Sequence, residues 1–149
     1  MSRVALLDVN VLVALFDPDH VHHEVAHDWF ADVGRPGWAT SSVTESGFIR
    51  VLSNPAYRGT VARAADLAGR LRRFCDSGGH VFWADEVSLL NGSLFDLSRI
   101  AGHRQLTDVY LLGLAQSRGG RLVTFDRTIP VSAVKGASAD SLEVIAPAE

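Results

Sequence analysis

The chain opens on Val4-Ala5-Leu6-Leu7, an apolar run with no polar interruption that stops abruptly at Asp8. A strand with one face in water alternates apolar and polar residues, whereas a short run that is apolar at every position fits a strand buried on both faces. Further strands are read at Trp38-Ala39-Thr40, His80-Val81-Phe82-Trp83, Leu122-Val123-Thr124-Phe125, which stops at Asp126, and Leu142-Glu143-Val144-Ile145. Strands alternating with helical segments predict one α/β domain spanning residues 1–149, with a mostly parallel sheet flanked by helices.

The segments between the runs have helical spacing. Asn10–Phe16 is stopped by Pro18, and His20–Val33 repeats Val21, Val25, Trp29 and Phe30. Ser42–Ser53 buries Val43, Phe48, Ile49 and Leu52 and ends before Asn54-Pro55. Thr60–Asp76 carries a stripe of Val61, Ala64, Leu67, Ala68, Leu71, Phe74 and Cys75, with Arg63, Asp66, Arg70 and Arg73 opposite. Glu86–Ala101 repeats Val87, Leu90, Leu94 and Leu97, and Thr107–Arg118 closes on Gly119-Gly120. At 149 residues the chain buries enough surface to fold unaided. Its single cysteine, Cys75, builds neither a disulfide framework nor a cysteine zinc cage and is expected to be a small buried apolar group. The apolar stretch Val4–Phe16 is broken by Asp8 and Asn10 and followed by Asp17-Pro18-Asp19, unlike a membrane span or a signal peptide, so the cytoplasm is expected. A net charge of −3 lacks the basic excess of a passive phosphate binder.

In open α/β sheets the chemistry lies beyond the carboxyl ends of the strands. Asp8 follows the first strand, Glu45 lies one helical turn past the second, Asp126 closes the fourth and Asp108 opens the helix leading into it. Each has an ordinary structural reading too: Asp8 as a helix cap, Ser42-Val43-Thr44-Glu45 as a capping box, Asp108 at the positive end of a helix, and Asp126 in a turn.

The acids stand within longer motifs: Leu7-Asp8-Val9-Asn10-Val11-Leu12, Thr44-Glu45-Ser46-Gly47-Phe48, Leu106-Thr107-Asp108-Val109-Tyr110-Leu111-Leu112 and Val123-Thr124-Phe125-Asp126-Arg127. In this order the sequence resembles the PIN-domain ribonucleases, and most closely the VapC toxins of bacterial toxin–antitoxin pairs. Ser53-Asn54-Pro55, Phe82-Trp83 and Gly102-His103 extend the likeness over nearly the whole chain. The resemblance implies a PIN-like fold and endonucleolytic hydrolysis of RNA, tRNA or ribosomal RNA. It also implies a VapB-type antitoxin that occupies the acidic groove, and a homodimer. Ser42–Ser53 and Thr60–Cys75 carry more apolar residues than a small core needs, so the antitoxin is expected to pack there.

Two carboxylates ~4 Å apart repel by about 4 kcal/mol at an effective dielectric of 20, so a fold that gathers them does so around a cation, and hard oxygen donors select Mg2+ or Mn2+. Such ions activate water and stabilise the leaving oxygen of a phosphodiester. Asp8 and Asp108 are expected as direct ligands, with Asp126 and Glu45 completing the set directly or through water. Asn10, Thr107 and Thr124 are expected to orient those ligands, and Arg127 to contact phosphate.

A rival of a different class sits in the second helical segment. His23-Glu24-Val25-Ala26-His27 matches the H-E-x-x-H zinc-protease signature, with both histidines on one helical face and Glu24 as general base. Glu45 is a formal third ligand, but Phe30 stands where the extended motif needs glycine, and this reading leaves Asp8, Asp108 and Asp126 without a role.

Overall fold

A computed structural model describes residues 3–58 and 62–146. The five short runs read as strands form strands as expected. Strands β1 (Ala5–Leu7), β2 (Trp38–Thr40), β3 (His80–Phe82), β4 (Arg121–Thr124) and β5 (Leu142–Val144) make one sheet, all parallel, in the order β3-β2-β1-β4-β5. Every residue of β1 and β2 is buried, because helices cover both faces. Ala5, Leu7, Trp38 and Val123 point into a core with Leu12, Phe30, Phe48 and Leu71; Leu6, Ala39 and Leu122 point into a second core with Val109, Leu112, Phe95 and Ala133. The alternation of strand side chains between faces thus divides one apolar run between two cores.

The helices are α1 (Val9–Phe16), α2 (His23–Trp29), α3 (Ser42–Ser53), the single turn α4 (Pro55–Arg58), α5 (Ala64–Cys75) and α6 (Leu106–Ser117). The expected helix over residues 20–33 is shorter at its start and ends in a π-turn, Phe30–Gly34. At Gly34 a Cβ would stand 2.5 Å from the Trp29 ring, so this tight exit needs glycine. The cap of α3 is shifted by one residue from the expected box. Ser41, not Ser42, is the N-cap, and its reciprocal partner is Thr44, not Glu45. Of the expected helix over residues 60–76, Thr60 and Val61 lie outside the described residues, and α5 begins at Ala64. Among the described residues no helix is long and apolar enough to cross a membrane.

The expected helix Glu86–Ala101 does not form. Ser88 and Asn91 turn their side chains onto the backbone N–H groups of Leu90 and Ser93, which diverts those donors from a helical ladder. Leu90 is 92% exposed, outside any buried stripe. Only a 3-10 turn, Leu97–Arg99, remains. Phe95 instead bridges to Val134 and packs its ring onto α6 at Gly113, where an added Cβ would meet the ring at 2.2 Å.

That close approach makes Gly113 a packing requirement. Alanine at an interior helix position ordinarily gains about 1 kcal/mol over glycine, whereas overpacking typically costs about 1–3 kcal/mol. Gly113→Ala is therefore expected to lower the melting temperature. A thermal melt in which the variant matches or exceeds the wild type would show that Phe95 yields without cost.

Candidate active site

The sheet order places the site. The chain lays down β1, β2 and β3 in one direction and then returns to add β4 and β5 on the other side of β1, so the order reverses between β1 and β4. Ligand sites in open α/β sheets lie at this reversal, beyond the carboxyl ends of the strands. Leu7 pairs with Val123 in register, so the next residues along, Asp8 and Thr124, stand side by side. The Thr124 hydroxyl donates to Asp8 Oδ2 at 2.7 Å and its oxygen accepts the Asp126 N–H at 3.0 Å. The other carboxylate oxygen of Asp8 accepts the Val9 N–H at 2.7 Å, capping α1. Asp8 is only 4% exposed; burial raises its pKa, the Thr124 and Val9 hydrogen bonds oppose the rise, and Asp126 adds to it.

Asp108, in the first turn of α6, faces the same pair. Its pKa is pushed up to about 7, first by burial and then by the charges of Asp8 and Asp126. Asp126 is displaced the opposite way. The Thr128 hydroxyl and backbone N–H donate to its Oδ1 at 2.7 and 2.8 Å, and hydrogen bonding with Asp108 holds its carboxyl lower still. Among the described residues no basic side chain forms an ion pair with Asp8, Asp108 or Asp126. Among the same residues no three acidic, histidine or cysteine side chains stand close enough together to hold a metal ion as they are placed. The donor set nevertheless fits a hard divalent cation: all of it is carboxylate oxygen, partly desolvated and electrostatically uncompensated.

Glu45 is placed at the same edge of the sheet, in the first turn of α3. Helix α3 approaches α1 closely, since a Cβ on Gly47 would lie 2.5 Å from Val9 Cγ2. The Glu45 carboxylate accepts from the Thr40 hydroxyl at 2.7 Å, and Thr40 Oγ1 lies 2.8 Å from His80 Nε2. Glu45 and His80 line a groove of about 300 Å3 with Ile49, Leu71, Arg72 and Cys75, between α3, α5 and the start of β3. Cys75 is half-buried rather than buried, and its thiol is pushed up to about 11 by desolvation, then by Glu45 and Asp76. Burial lowers the His80 pKa against the opposing pull of Glu45 and Asp76.

Sequence reasoning missed Thr40, His80 and Asp85. Asp85 accepts the Val43 N–H at 3.2 Å and the Tyr110 hydroxyl at 2.8 Å, tying together the first turns of the two helices that carry Glu45 and Asp108. Thr40 had a visible signal, for it ends β2 as Thr124 ends β4. Nothing local marks Asp85. Of the expected supporting residues, Thr124 is fully buried and hydrogen-bonded to Asp8. Asn10, Thr107 and Arg127 are exposed beside the acids, with no hydrogen bond to them among the described residues.

The H-E-x-x-H reading finds no support in the structure, where its histidines take a packing role at the end of α1. His23 Nδ1 meets Ala14 O at 2.7 Å and His27 Nε2 meets Leu15 O at 2.9 Å, both carbonyls in the last turn of α1. These rings satisfy carbonyls the helix end leaves open. Glu24 is exposed, and Glu45 is engaged elsewhere.

The PIN-domain family model matches residues 5–134. The chain is 46% identical over 143 residues to Ribonuclease VapC44 of Mycobacterium tuberculosis, covering 95% of this chain and 99% of that one. It is 44% identical over 132 residues to Ribonuclease VapC39 of the same organism, covering 89% and 95% respectively. In fold it is similar to the crystal structure of M. tuberculosis VapC20, described as a sarcin–ricin loop cleaving toxin, with a TM-score of 0.60 at 17% identity over 87% of this chain and 95% of that one.

The raised pKa of Asp108 links stability to pH. Unfolded, this carboxyl ionises near its ordinary value of 3.8; folded, it ionises near 7, so the native state retains the proton over that interval. The stability it confers is present below the unfolded value and lost as pH rises through the folded one. Asp108→Asn removes the cost of ionisation. In EDTA it is expected to melt above the wild type at pH 8, with the gap narrowing towards pH 5 and closing near pH 4. A variant that melts below the wild type at pH 8 would identify the carboxylate as a support of the α6 terminus.

Proposed function

From the chain's membership of the PIN-domain family, and within it of the VapC group, we propose that it is the toxin of a toxin–antitoxin pair, an endoribonuclease that hydrolyses RNA at the aspartate cluster. The observation that carries this reading is the convergence of Asp8, Asp108 and Asp126 at the reversal of the sheet without a basic partner among the described residues. The cofactor is Mg2+ or Mn2+, held by Asp8 and Asp108, with Asp126 and Glu45 completing the donor set directly or through water. When bound, such an ion supplies charge that activates water and stabilises the leaving oxygen of the phosphodiester. The protein's own contribution is to hold the donors still. Val9 N–H and the Thr124 hydroxyl fix Asp8 from two sides, Thr128 fixes Asp126, and Asp108 is free to release its proton as a cation approaches.

The substrate is a structured RNA of translation, tRNA or ribosomal RNA, and exposed Arg127 beside Asp126 supplies a phosphate contact. A VapB-type antitoxin is the regulating partner; the groove between α3 and α5, apolar at Ile49, Ala68 and Leu71 and bordered by Glu45, accommodates its packing segment. A homodimer is the assembled form.

Cleavage of an RNA pool by the purified protein is expected in Mg2+ or Mn2+ and is abolished by EDTA. Asp8→Asn and Asp108→Asn each lose at least about 100-fold in rate, at or beyond the ~10–100-fold typical of outer groups around a metal. His23→Ala, which removes a cap on α1, stays within a few fold of wild type. Metal-independent cleavage, or a loss in His23→Ala equal to that in Asp108→Asn, would overturn the assignment.

A further inference from the structure

We propose that His80 and Thr40 are positioning residues for Glu45: the His80 ring N–H aims the Thr40 hydroxyl, and the hydroxyl holds the Glu45 carboxylate for the cation. The inference rests on the reading of Glu45 as part of the metal-binding set.

The argument begins with a symmetry around β1. Its two neighbours, β2 and β4, each end on a fully buried threonine, Thr40 and Thr124. Each threonine donates its hydroxyl proton to a carboxylate at 2.7 Å, Thr40 to Glu45 and Thr124 to Asp8. A hydroxyl has one proton to give and accepts through its lone pairs, so what it accepts decides where its proton points. At Thr124 the orienting donor is the Asp126 backbone N–H at 3.0 Å. At Thr40 the group in that position, among the described residues, is His80 Nε2 at 2.8 Å. For both contacts of Thr40 to be hydrogen bonds with an ionised Glu45, His80 must carry its proton on Nε2. The alternative tautomer would place two acceptors against one proton and release Glu45.

The sheet builds this arrangement. His80 pairs with Trp38 in register, so Thr40 is its diagonal neighbour on the same face. The His80 ring packs against Trp38 with centroids 4.6 Å apart, which limits the swing of the imidazole. The Thr40 bond occupies Oε2 of Glu45 and leaves Oε1 for a ligand. Outer hydrogen bonds of this kind orient ligating carboxylates, and their loss typically costs ~10–100-fold in metal affinity or activity.

The test compares Thr40→Val, which keeps shape and loses the hydroxyl, with Thr40→Ser, which keeps it, and His80→Leu with His80→Gln, which retains a donor at similar reach. Glu45→Gln is the reference. Mn2+ affinity is measured by calorimetry, kcat and KM on RNA separately, and folding by thermal melt. Thr40→Val and His80→Leu are expected to weaken Mn2+ binding about tenfold or more, with Thr40→Ser and His80→Gln within about threefold of wild type. In the Glu45→Gln background neither Thr40→Val nor His80→Leu causes further loss, as groups acting through one carboxylate must. Wild-type Mn2+ affinity in His80→Leu and Thr40→Val, with Glu45→Gln impaired, would overturn the positioning role alone. Wild-type affinity and turnover in Glu45→Gln would overturn the metal-binding role of Glu45 and the inference with it. Should Thr40→Val fail to fold, the half-buried His80 pair decides.

Discussion

The hydrogen bond from Thr124 to Asp8 joins the two strands between which the sheet reverses, and the site is organised around it. Thr124 is fully exposed to protein and not at all to water, so its hydroxyl has no solvent to satisfy it and must find partners in the fold. It finds Asp8 on β1's exit and the Asp126 N–H on its own. Moving β4 by one residue along β1 would turn Thr124 to the other face and replace it with an apolar neighbour, since strand side chains alternate. Register, burial and the placing of the acids are therefore one constraint.

The same geometry works against stability. Asp8 is nearly buried, Asp108 partly so; burial raises the cost of ionising each, and the charges of Asp8 and Asp126 raise that of Asp108 further. Elsewhere most buried polar groups find partners, His22 Nδ1 being an exception among the described residues: the last turn of α1 receives two histidines, and Asp85 closes the start of α3. An unbalanced cluster in a chain otherwise so well satisfied is the mark of a site shaped by what it binds.

Much of this was legible beforehand, for identifiable reasons. Short strand-like runs between helical stripes dictated the buried parallel sheet, and acids at strand ends marked the reversal. The segment Glu86–Ala101 was misread because leucines at helical spacing outweighed Ser88 and Asn91, whose backbone hydrogen bonds are locally stronger than the periodicity. The capping box slipped by one residue because Ser41 and Ser42 are equivalent on paper, and only the buried position of Ser41 separates them. That slip matters chemically, since it frees Glu45 from the cap. The partners of Glu45 were invisible because His80 lies on a strand reached after two further helices and a turn. Pairing of distant strands, not local pattern, brings it to Thr40.

The ordinary and functional readings of the acids were posed as rivals, and Asp8 shows why the opposition was false. An ionised carboxylate has two oxygens and about four lone-pair sites. Capping takes one site on Oδ1, and Thr124 takes one on Oδ2. Both bonds orient the group and neither exhausts it, so the cap that stabilises α1 is also what holds a ligand rigid. The reasoning extends to Asp126, whose turn onto Thr128 keeps its pKa low while Asp108 retains the proton. Likewise His23 and His27 each put one ring nitrogen against an α1 carbonyl and keep the other. A structural hydrogen bond thus argues against a ligand role only when it uses the atom the ligand would need. By that criterion neither set is excluded by its hydrogen bonds, and it is the family to which the chain belongs that decides for the aspartates.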